Sequence, residues 1–262
     1  MTMRSTRLDG KIVLVTGATQ GLGETIARDA AAMGAKGICI TGRNAARGEK
    51  VAQSISAAGC PTLFVQAELG DEAQVRNVFA TAIAKFGRVD GLVNSGALTD
   101  RGTIENTTVE LWDRLFAVNT RAPFILTQEF VRHAKKRGGG GSIVNIITRS
   151  SHGGQPFLTA YSASKGALAI LTKNVAHAVR SDRIRVNGIN IGWMETPGEH
   201  AIQARDGRPA DWLEKAEPNQ PFGRILKPDD VSTLAIHLLS DAGEMMTGSL
   251  IDFDQHVMGA YD

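Results

Sequence analysis

Tyr161 and Lys165 carry the most specific chemistry in this sequence, because they lie four residues apart. Side chains at positions i and i+4 share one face of a helix, which brings the ammonium of Lys165 near the phenol of Tyr161. A phenol has a pKa of about 10 and is a poor base at neutral pH. A nearby cation favours the phenolate and lowers that pKa, so the pair predicts a tyrosine that exchanges protons.

A glycine-rich segment near the start of the chain predicts a nucleotide-binding turn. The segment, Thr16–Gly23, follows the apolar run Ile12–Val15 and precedes a stretch with helical spacing. This order of strand, turn and helix favours a nucleotide site over the alternative of a glycine-rich turn without a ligand. Gly17 permits the tight turn, Gly21 lets the backbone approach a pyrophosphate, and Gly23 allows close packing of helix on strand. The N-terminus of the following helix offers free N–H groups to the phosphates.

Composition favours a soluble, cytoplasmic protein. The chain has 262 residues, a formal net charge of +2 and 42% hydrophobic residues, so it has no basic surplus that would indicate nucleic-acid binding. No apolar run is long enough to cross a membrane, and the N-terminus lacks the apolar region of a signal peptide. Cys39 and Cys60 are too few for a disulfide framework and are expected to be reduced. The six histidines show no metal-ligand spacing, so no metal site is predicted.

Apolar runs alternate with helical patterns along the whole chain, which predicts an α/β fold with a parallel sheet. We find no repeat or linker, so residues 1–262 are expected to form a single domain. That domain is a Rossmann-type, doubly wound sheet of about seven strands with helices on both faces. Helices are expected near residues 22–34, 44–58, 71–86, 108–136, 158–180 and 228–240. The predicted strands are Lys11–Thr16, Gly37–Thr41, Thr62–Gln66, Gly91–Asn94, Ser142–Ile147, Arg185–Ile189 and Ser249–Phe253.

One polar segment that contains several prolines, residues 193–222, does not continue the alternation of strands and helices. It contains one expected short helix, around Ala210–Ala216. A long excursion in a compact α/β pattern is usually a functional lid or a disordered loop. Its position after the sixth strand, at the carboxyl edge of the sheet, favours a substrate lid.

Four ordered motifs make the chain resemble the short-chain dehydrogenase/reductase family. They are Thr16-Gly17-x3-Gly21-x-Gly23, Asn94–Ala97, Val118-Asn119 and Tyr161-x3-Lys165, and the match runs from about Leu8 to Phe253. The resemblance implies a nicotinamide-dependent oxidoreductase that interconverts an alcohol and a ketone or aldehyde by hydride transfer. It does not specify the substrate, and by analogy it implies a homotetramer.

The resemblance also assigns roles to individual residues. Tyr161 would be the general acid/base, and Lys165 would lower its pKa and hold the ribose of the nicotinamide. Asn119 would hold a water that links Lys165 to solvent, Asn94 would close the pocket near the adenine ribose, and Thr196 would contact the carboxamide. The full set expected to bind the cofactor is Gly17, Thr19, Gln20, Gly21, Leu22, Gly23, Arg43, Glu68, Leu69, Asn94, Gly96, Tyr161, Lys165 and Thr196.

The hydroxyl that would polarise the substrate oxygen departs from the family pattern. The family usually places a serine thirteen residues before the catalytic tyrosine, and here that position is Thr148. Its β-branched side chain is stiffer about χ1 than serine. Ser150 and Ser151 lie close by and are alternatives, but the preserved spacing favours Thr148.

The residues after the second predicted strand favour NADP(H) over NAD(H). Members specific for NAD carry a carboxylate at the strand end, which binds the ribose 2′-hydroxyl. Gly42 occupies that position here, and Arg43 follows with a guanidinium that could grip a 2′-phosphate. Gln20 weakens this prediction, because many NADP-preferring relatives have a second basic residue just there. If Arg43 merely stacks on the adenine, the protein would use both cofactors.

The side chains expected to face the substrate are polar and mixed in charge, which favours a sugar, a polyol or a small hydroxy-ketone over a steroid or long acyl chain. Solvated loop positions are the alternative for each of them. A non-catalytic nucleotide-binding or redox-sensing module is a second class of function, and epimerisation through an oxidised intermediate is a third. The expected substrate contacts are Thr148, Ser150, Tyr161 and Trp193, with Arg149, His152, Gln155, Glu195 and His200 as further candidates.

Overall fold

Seven parallel strands form one sheet in the order β3-β2-β1-β4-β5-β6-β7 in the computed structural model, which describes residues 5–259. The doubly wound parallel sheet predicted from the sequence is therefore confirmed. Residues 1–4 and 260–262, which the predicted 1–262 domain includes, lie outside the described residues. The strands are β1 (Ile12–Thr16), β2 (Gly37–Gly42), β3 (Thr62–Gln66), β4 (Gly91–Asn94), β5 (Gly141–Thr148), β6 (Ile184–Ile191) and β7 (Leu250–Phe253).

Helices cover both faces of the sheet. The helices α1, α2 and α10 pack on one face, and α3, α5 and α7 pack on the other. No helix among residues 5–259 is long and apolar enough to span a membrane. The helices are α1 (Gly21–Ala32), α2 (Ala45–Ala57), α3 (Glu72–Phe86), α4 (Val109–Phe116), α5 (Ala122–Lys136), α6 (Ser150–Gly153), α7 (Thr159–Val179), α8 (Pro197–Arg205), α9 (Trp212–Ala216) and α10 (Pro228–Leu239).

The central strands are buried on both sides because their side chains alternate between two apolar cores. Along β1, Val13 and Val15 join the core beneath α1 and α10, whereas Ile12 and Leu14 join the core beneath α3 and α5. Burial of each such side chain stabilises the fold by about 1.5–3 kcal/mol. This explains why β1 reads as a continuous apolar run in the sequence rather than as an alternating one.

The single helix expected over residues 108–136 is interrupted by a π-helical turn. The turn spans Ala117–Arg121 and joins α4 to α5, and its wider hydrogen-bonding ring links the N–H of Ala122 to the carbonyl of Ala117. Pro123 follows immediately and has no N–H to donate to the carbonyl of Asn119, as an α-helix would require. Turns of this kind are frequent at functional sites.

The segment 193–222 contains more helix than the sequence predicted. The expected short helix is present as α9, but α8 was not predicted at all. The Thr196 side chain begins α8 by accepting a hydrogen bond from the backbone N–H of Glu199 at 3.0 Å. The two helices contact each other where the indole N–H of Trp212 donates to Nδ1 of His200 at 3.2 Å, and the ring of Trp193, before α8, stacks on Trp212 with centroids 5.6 Å apart.

Candidate active site

A cleft of about 910 Å³ opens at the carboxyl edge of the sheet, where the chain winds away in opposite directions from β1 and β4. This is the point of a doubly wound sheet at which ligands bind. Its volume lies near the top of the range of about 300–1,000 Å³ for small-molecule sites. The predicted residues that line it are Gly17, Thr19, Gln20, Gly21, Leu22, Gly23, Arg43, Glu68, Leu69, Gly96, Thr148, Ser150, Tyr161, Lys165, Trp193 and Thr196.

The glycine-rich turn forms one wall of the cleft through very close backbone approaches. Gly17 has a φ of +65°, and a Cβ atom there would lie 2.5 Å from the Cα of Gly96. A Cβ atom on Gly23 would lie 2.5 Å from the carbonyl oxygen of Gly17. The hydroxyl of Thr16 joins the glycine-rich turn to the loop after β4, since it accepts hydrogen bonds from the N–H groups of Ser95 and Gly96. This arrangement fits a dinucleotide pyrophosphate, which needs bare backbone beside a helix N-terminus.

The far end of the cleft, after β2, carries two arginines. Arg43 and Arg47 both line the cleft, and the latter was missed in the sequence although it follows Arg43 by four residues. A Cβ atom on Gly42 would lie 2.6 Å from the side chain of Thr19, so a carboxylate at this position would require Thr19 to move. The Arg43 guanidinium lies 3.8 Å from the carboxylate of Glu68, and both side chains are exposed.

Tyr161 and Lys165 lie one turn apart on α7, facing the end of β5. Lys165 is only 3% exposed, and its ammonium donates a hydrogen bond of 2.8 Å to the carbonyl oxygen of Ile146. Burial lowers the pKa of Lys165 to about 8. Burial also raises the pKa of Tyr161 to about 12, although a side-chain hydrogen bond with Thr148 opposes that rise. The predicted lowering of the Tyr161 pKa by Lys165 is therefore not found, because burial is the largest cause of the shift and the other causes are Thr148 and Glu199.

The hydroxyls of Thr148 and Ser150 have different partners. Thr148 ends β5, and its side chain lies close enough to Tyr161 to lower the pKa of the phenol. The Ser150 hydroxyl donates instead to the side-chain oxygen of Gln155 at 3.0 Å. Thr148 is thus the hydroxyl that lies beside the phenol.

Asn119 is fully buried in the π-helical turn and does not line the cleft. Its amide nitrogen donates to the carbonyl of Leu98 at 2.9 Å and to the hydroxyl of Ser164 at 3.1 Å, and its oxygen accepts from the N–H of Leu98. Both amide hydrogens are therefore committed to protein groups. Ser164 in turn donates to the carbonyl of Tyr161, so Asn119 joins the loop after β4 to the helix that carries the phenol.

Asn94 also lies behind the cleft rather than in its lining. Its side-chain nitrogen donates to the oxygen of Asn145 at 2.8 Å, and Asn145 donates to the hydroxyl of Thr172. This buried chain connects β4, β5 and α7. The Asn94 side chain therefore braces the elements beneath the cleft.

The further candidates for substrate contact divide into two groups. Arg149 and Gln155 line the cleft, and Arg149 forms an ion pair with Asp254 at 2.7 Å. His152, Glu195 and His200 are absent from its lining. They are bound elsewhere, to Asp252, Lys227 and Trp212 respectively.

A carboxylate that the sequence analysis did not single out, Glu199, lines the cleft near Tyr161. Its negative charge contributes to the raised pKa of the phenol. The side chain of Glu199 is 16% exposed and lies 3.7 Å from the guanidinium of Arg101. The sequence signal for this position was the spacing Thr196-x-x-Glu199, which marks the first turn of a helix.

The low pKa of Lys165 predicts a stability change that depends on pH. Below about pH 8 the folded protein holds a buried charge, whereas above about pH 10.5 the lysine is neutral in both states and this cost disappears. Lys165→Met removes the cost at every pH. Lys165→Met should therefore be stabilised relative to the wild type at neutral pH. We expect the free energy of unfolding of the variant minus that of the wild type to be larger at about pH 7 than at about pH 10, by roughly 2 kcal/mol.

Denaturant titrations of both proteins at the two pH values measure this difference. Lys173→Met is the matched control, because Lys173 is exposed on the same helix. The difference in free energy of unfolding between Lys173→Met and the wild type should not change with pH. An equally constant difference for Lys165→Met would contradict the buried-charge interpretation.

Comparison with known proteins agrees with this geometry. A family model described as enoyl-(acyl carrier protein) reductase matches residues 17–255. The chain is 36% identical over 246 residues to the NADP-dependent (R)-specific alcohol dehydrogenase of Lentilactobacillus kefiri, covering 93% of this chain and 94% of the relative. It is 32% identical over 248 residues to a 3-oxoacyl-(acyl-carrier-protein) reductase of Thermotoga maritima, covering 95% and 98%.

A solved structure, a short-chain type dehydrogenase/reductase from Mycobacterium marinum, superposes with a TM-score of 0.88 at 27% identity, covering 97% of this chain and 98% of that one. The chain therefore belongs to the short-chain dehydrogenase/reductase family of oxidoreductases.

Proposed function

We propose that this protein interconverts an alcohol and a ketone or aldehyde by hydride transfer, with Tyr161 as the group that exchanges the proton. One observation carries the proposal: the Tyr161 phenol, the Thr148 hydroxyl and the Lys165 ammonium line a single cleft together with the glycine-rich turn. Members of its family include an alcohol dehydrogenase and a 3-oxoacyl reductase, which supports carbonyl–alcohol chemistry.

The residues of the cleft fit a nicotinamide dinucleotide, which when bound supplies or accepts a hydride at C4 of its nicotinamide ring. The backbone of the Gly17–Gly23 turn would hold the pyrophosphate, as the close approach to Gly96 leaves it bare. Lys165 would hold the ribose next to the nicotinamide. Thr196, which begins α8 opposite Gly21, would meet the carboxamide.

Tyr161 acts as the proton donor in carbonyl reduction. With a pKa of about 12, the phenol carries its proton at neutral pH and can give it to the carbonyl oxygen as the hydride arrives. Thr148 hydrogen-bonds the same oxygen and stabilises the charge that develops on it. Lys165 has a pKa of about 8 and is suited to return a proton to the phenolate. In alcohol oxidation the phenolate form would be needed, so that direction is favoured at higher pH.

Asn119 and Asn94 are positioning residues in this account. Asn119 fixes the loop after β4 and, through Ser164, the start of α7 that carries Tyr161. Asn94 fixes β5 through Asn145. Their contribution is to hold the reacting groups in place rather than to touch the cofactor.

We also propose that residues 193–222 form a substrate lid on a single domain. Two ion pairs join α8 to the loop before α4: Asp100 with Arg205 at 2.9 Å, and Arg101 with Asp206 at 2.8 Å. Such exposed or partly exposed pairs are individually weak, so they suit a segment that opens and closes. The cleft lies beneath Trp193 and Trp212 of this segment.

NADP(H) is the preferred cofactor in this proposal, and Arg43→Ala tests it. Loss of charge-assisted hydrogen bonds to the 2′-phosphate, worth about 1.5–3 kcal/mol, should reduce kcat/KM for NADPH roughly 10- to 100-fold. The value for NADH should change little, because NADH has no phosphate there. Steady-state kinetics with both cofactors measure the ratio.

The exposed α5 residue Arg132, which does not line the cleft, supplies the control variant Arg132→Ala. It should leave both values unchanged. A wild type that prefers NADH, or an Arg43→Ala variant with an unchanged ratio, would refute the NADP(H) preference.

A polar substrate remains our proposal: a sugar, a polyol or a small hydroxy-ketone. Arg101, Gln155, Glu199 and Gln203 line the part of the cleft around Tyr161 and support it. No observation favours the alternative of a non-catalytic nucleotide-binding module. Oxidation of NADPH in the presence of a panel of sugars, polyols and ketones tests the proposed function, and a protein that binds NADPH but reduces none of them would contradict it.

A homotetramer also remains a proposal, and exposed apolar side chains on α4, α5 and α7 support it. Val109 is 70% exposed and Ile170 is 68% exposed, and Trp112 and Phe124 are also exposed. A second copy of the chain would cover this surface, and light scattering coupled to size exclusion measures the oligomeric state. A cytoplasmic location and a metal-free reaction stay predictions from composition.

A further inference from the structure

Glu199 differs from the other acidic group of the cleft. Among the described residues that line the cleft, Glu68 and Glu199 are the acidic ones. Glu68 lies at the adenosine end, beside Arg43. Glu199 lies at the opposite end, close enough to Tyr161 for its charge to act on the phenol. Its carboxylate is therefore the acidic group nearest the reacting atoms.

The protein contacts of Glu199 all reach one of its two oxygens. Oε1 accepts from the indole N–H of Trp193 at 2.9 Å and from the amide of Gln203 at 2.6 Å, and it lies 3.7 Å from Arg101. No hydrogen bond to Oε2 is found among the described residues. An ionised carboxylate only accepts hydrogen bonds. Oε2 can therefore accept a hydrogen bond from a molecule bound in the cleft.

The cation beside Glu199, Arg101, is already paired within the protein. Arg101 is held by Asp206 at 2.8 Å as well as by Glu199, and it lies over the ring of Phe157. Its positive charge is matched by these two carboxylates. A substrate that carried its own carboxylate at this point would meet the charge of Glu199.

We infer that Glu199 accepts a hydrogen bond from a substrate hydroxyl on the carbon next to the reacting carbon, so that the enzyme selects α-hydroxy ketones and vicinal diols. This inference rests on the proposed function, since it assigns a substrate class to the same cleft. When the oxygen on the reacting carbon lies at Tyr161 and Thr148, the hydroxyl on the adjacent carbon would reach Glu199 in the lid. An α-keto acid is disfavoured because of charge repulsion.

Matched substrates test the assignment with NADPH. 1-Hydroxybutan-2-one and pentan-3-one have the same size and differ by a hydroxyl in place of a methyl group, while 2-oxobutanoate carries a carboxylate. We expect the wild type to have a kcat/KM at least tenfold higher for the hydroxy ketone than for pentan-3-one. Glu199→Gln should reduce that preference about tenfold, because the charge-assisted part of the hydrogen bond is lost. Its activity on 2-oxobutanoate should rise.

A purely structural role for Glu199 predicts a different pattern. If the carboxylate only holds Trp193 and Gln203 in place, Glu199→Gln should lower activity on all three compounds by the same factor. Glu214→Gln makes the same chemical change on the exposed surface of α9 and should leave every value unchanged. The ratio between substrates separates the roles, even where the variant is less stable.

Failure of the inference about Glu199 and failure of the proposed function would give different results. Reduction of pentan-3-one as efficiently as the hydroxy ketone, or an unchanged ratio in Glu199→Gln, overturns the inference and leaves the proposed oxidoreductase standing. Absence of hydride transfer to any carbonyl compound overturns the proposed function, and with it this inference.

Discussion

Replacing Tyr161 by phenylalanine is expected to reduce turnover by roughly 100- to 10,000-fold, the usual contribution of a positioned acid or base. Phenylalanine keeps the ring that packs at the start of α7 and removes only the O–H beside Thr148. Because the phenol carries the proton at neutral pH, its loss leaves the carbonyl oxygen without a donor. Steady-state kinetics in the direction of carbonyl reduction measure the effect.

Dinucleotide affinity supplies the control for this variant. The pyrophosphate and adenosine ends of the cleft do not involve the Tyr161 hydroxyl, so the Kd for NADPH should stay within about twofold of the wild type. Thermal unfolding should also remain close to the wild-type value. Substantial residual turnover in Tyr161→Phe would show that another group exchanges the proton.

The second large effect is expected from Gly17→Ala, through the nucleotide turn. The new Cβ atom would lie 2.5 Å from the Cα of Gly96, at a φ of +65° that alanine rarely adopts. One of the two loops must move, which opens the pyrophosphate cradle. We expect affinity for NADPH to fall at least tenfold and the free energy of unfolding to fall by about 2–4 kcal/mol. Calorimetric binding and denaturant titration measure the two losses.

Gly87→Ala separates strain from steric conflict. Gly87 ends α3 with a φ of +76°, but nothing lies within 4 Å of a Cβ atom placed there. This variant should lose about 1 kcal/mol of stability from backbone strain alone and bind NADPH normally. Equal behaviour of the two variants would contradict the close approach of the Gly17 and Gly96 loops.

The sheet was predictable because its signals are local and strong. Strands such as Thr62–Gln66 and Gly91–Asn94 were placed with the correct bounds, since a buried parallel strand is a short apolar run between turn signals. The interruption at Ala117–Arg121 was missed, because apolar spacing through α4 and α5 continues almost unbroken. Pro123 was the signal, since it removes one backbone donor and thereby disturbs the preceding turn.

The site was predictable only in part, because motifs identify residues but not their partners. The glycine turn, Tyr161 and Lys165 lie in one cleft, as their order in the chain predicted. The predicted direction of the Tyr161 pKa shift was wrong because burial, which a sequence does not report, is the largest cause of that shift. Glu199 was not predicted because residues 193–222 show no regular helical or strand pattern. Thr196, Pro197 and Glu199 together are nevertheless typical of the start of a helix.

The most direct test of the central claim is a label-transfer experiment with NADPH that carries deuterium at the transferable C4 position. Wild-type protein incubated with the carbonyl panel should place deuterium on the carbinol carbon of the product, as seen by mass spectrometry. Tyr161→Phe should bind the labelled cofactor equally well and form almost no labelled alcohol. Labelled alcohol formed at equal rates by both proteins, or by neither despite tight NADPH binding, would contradict the account.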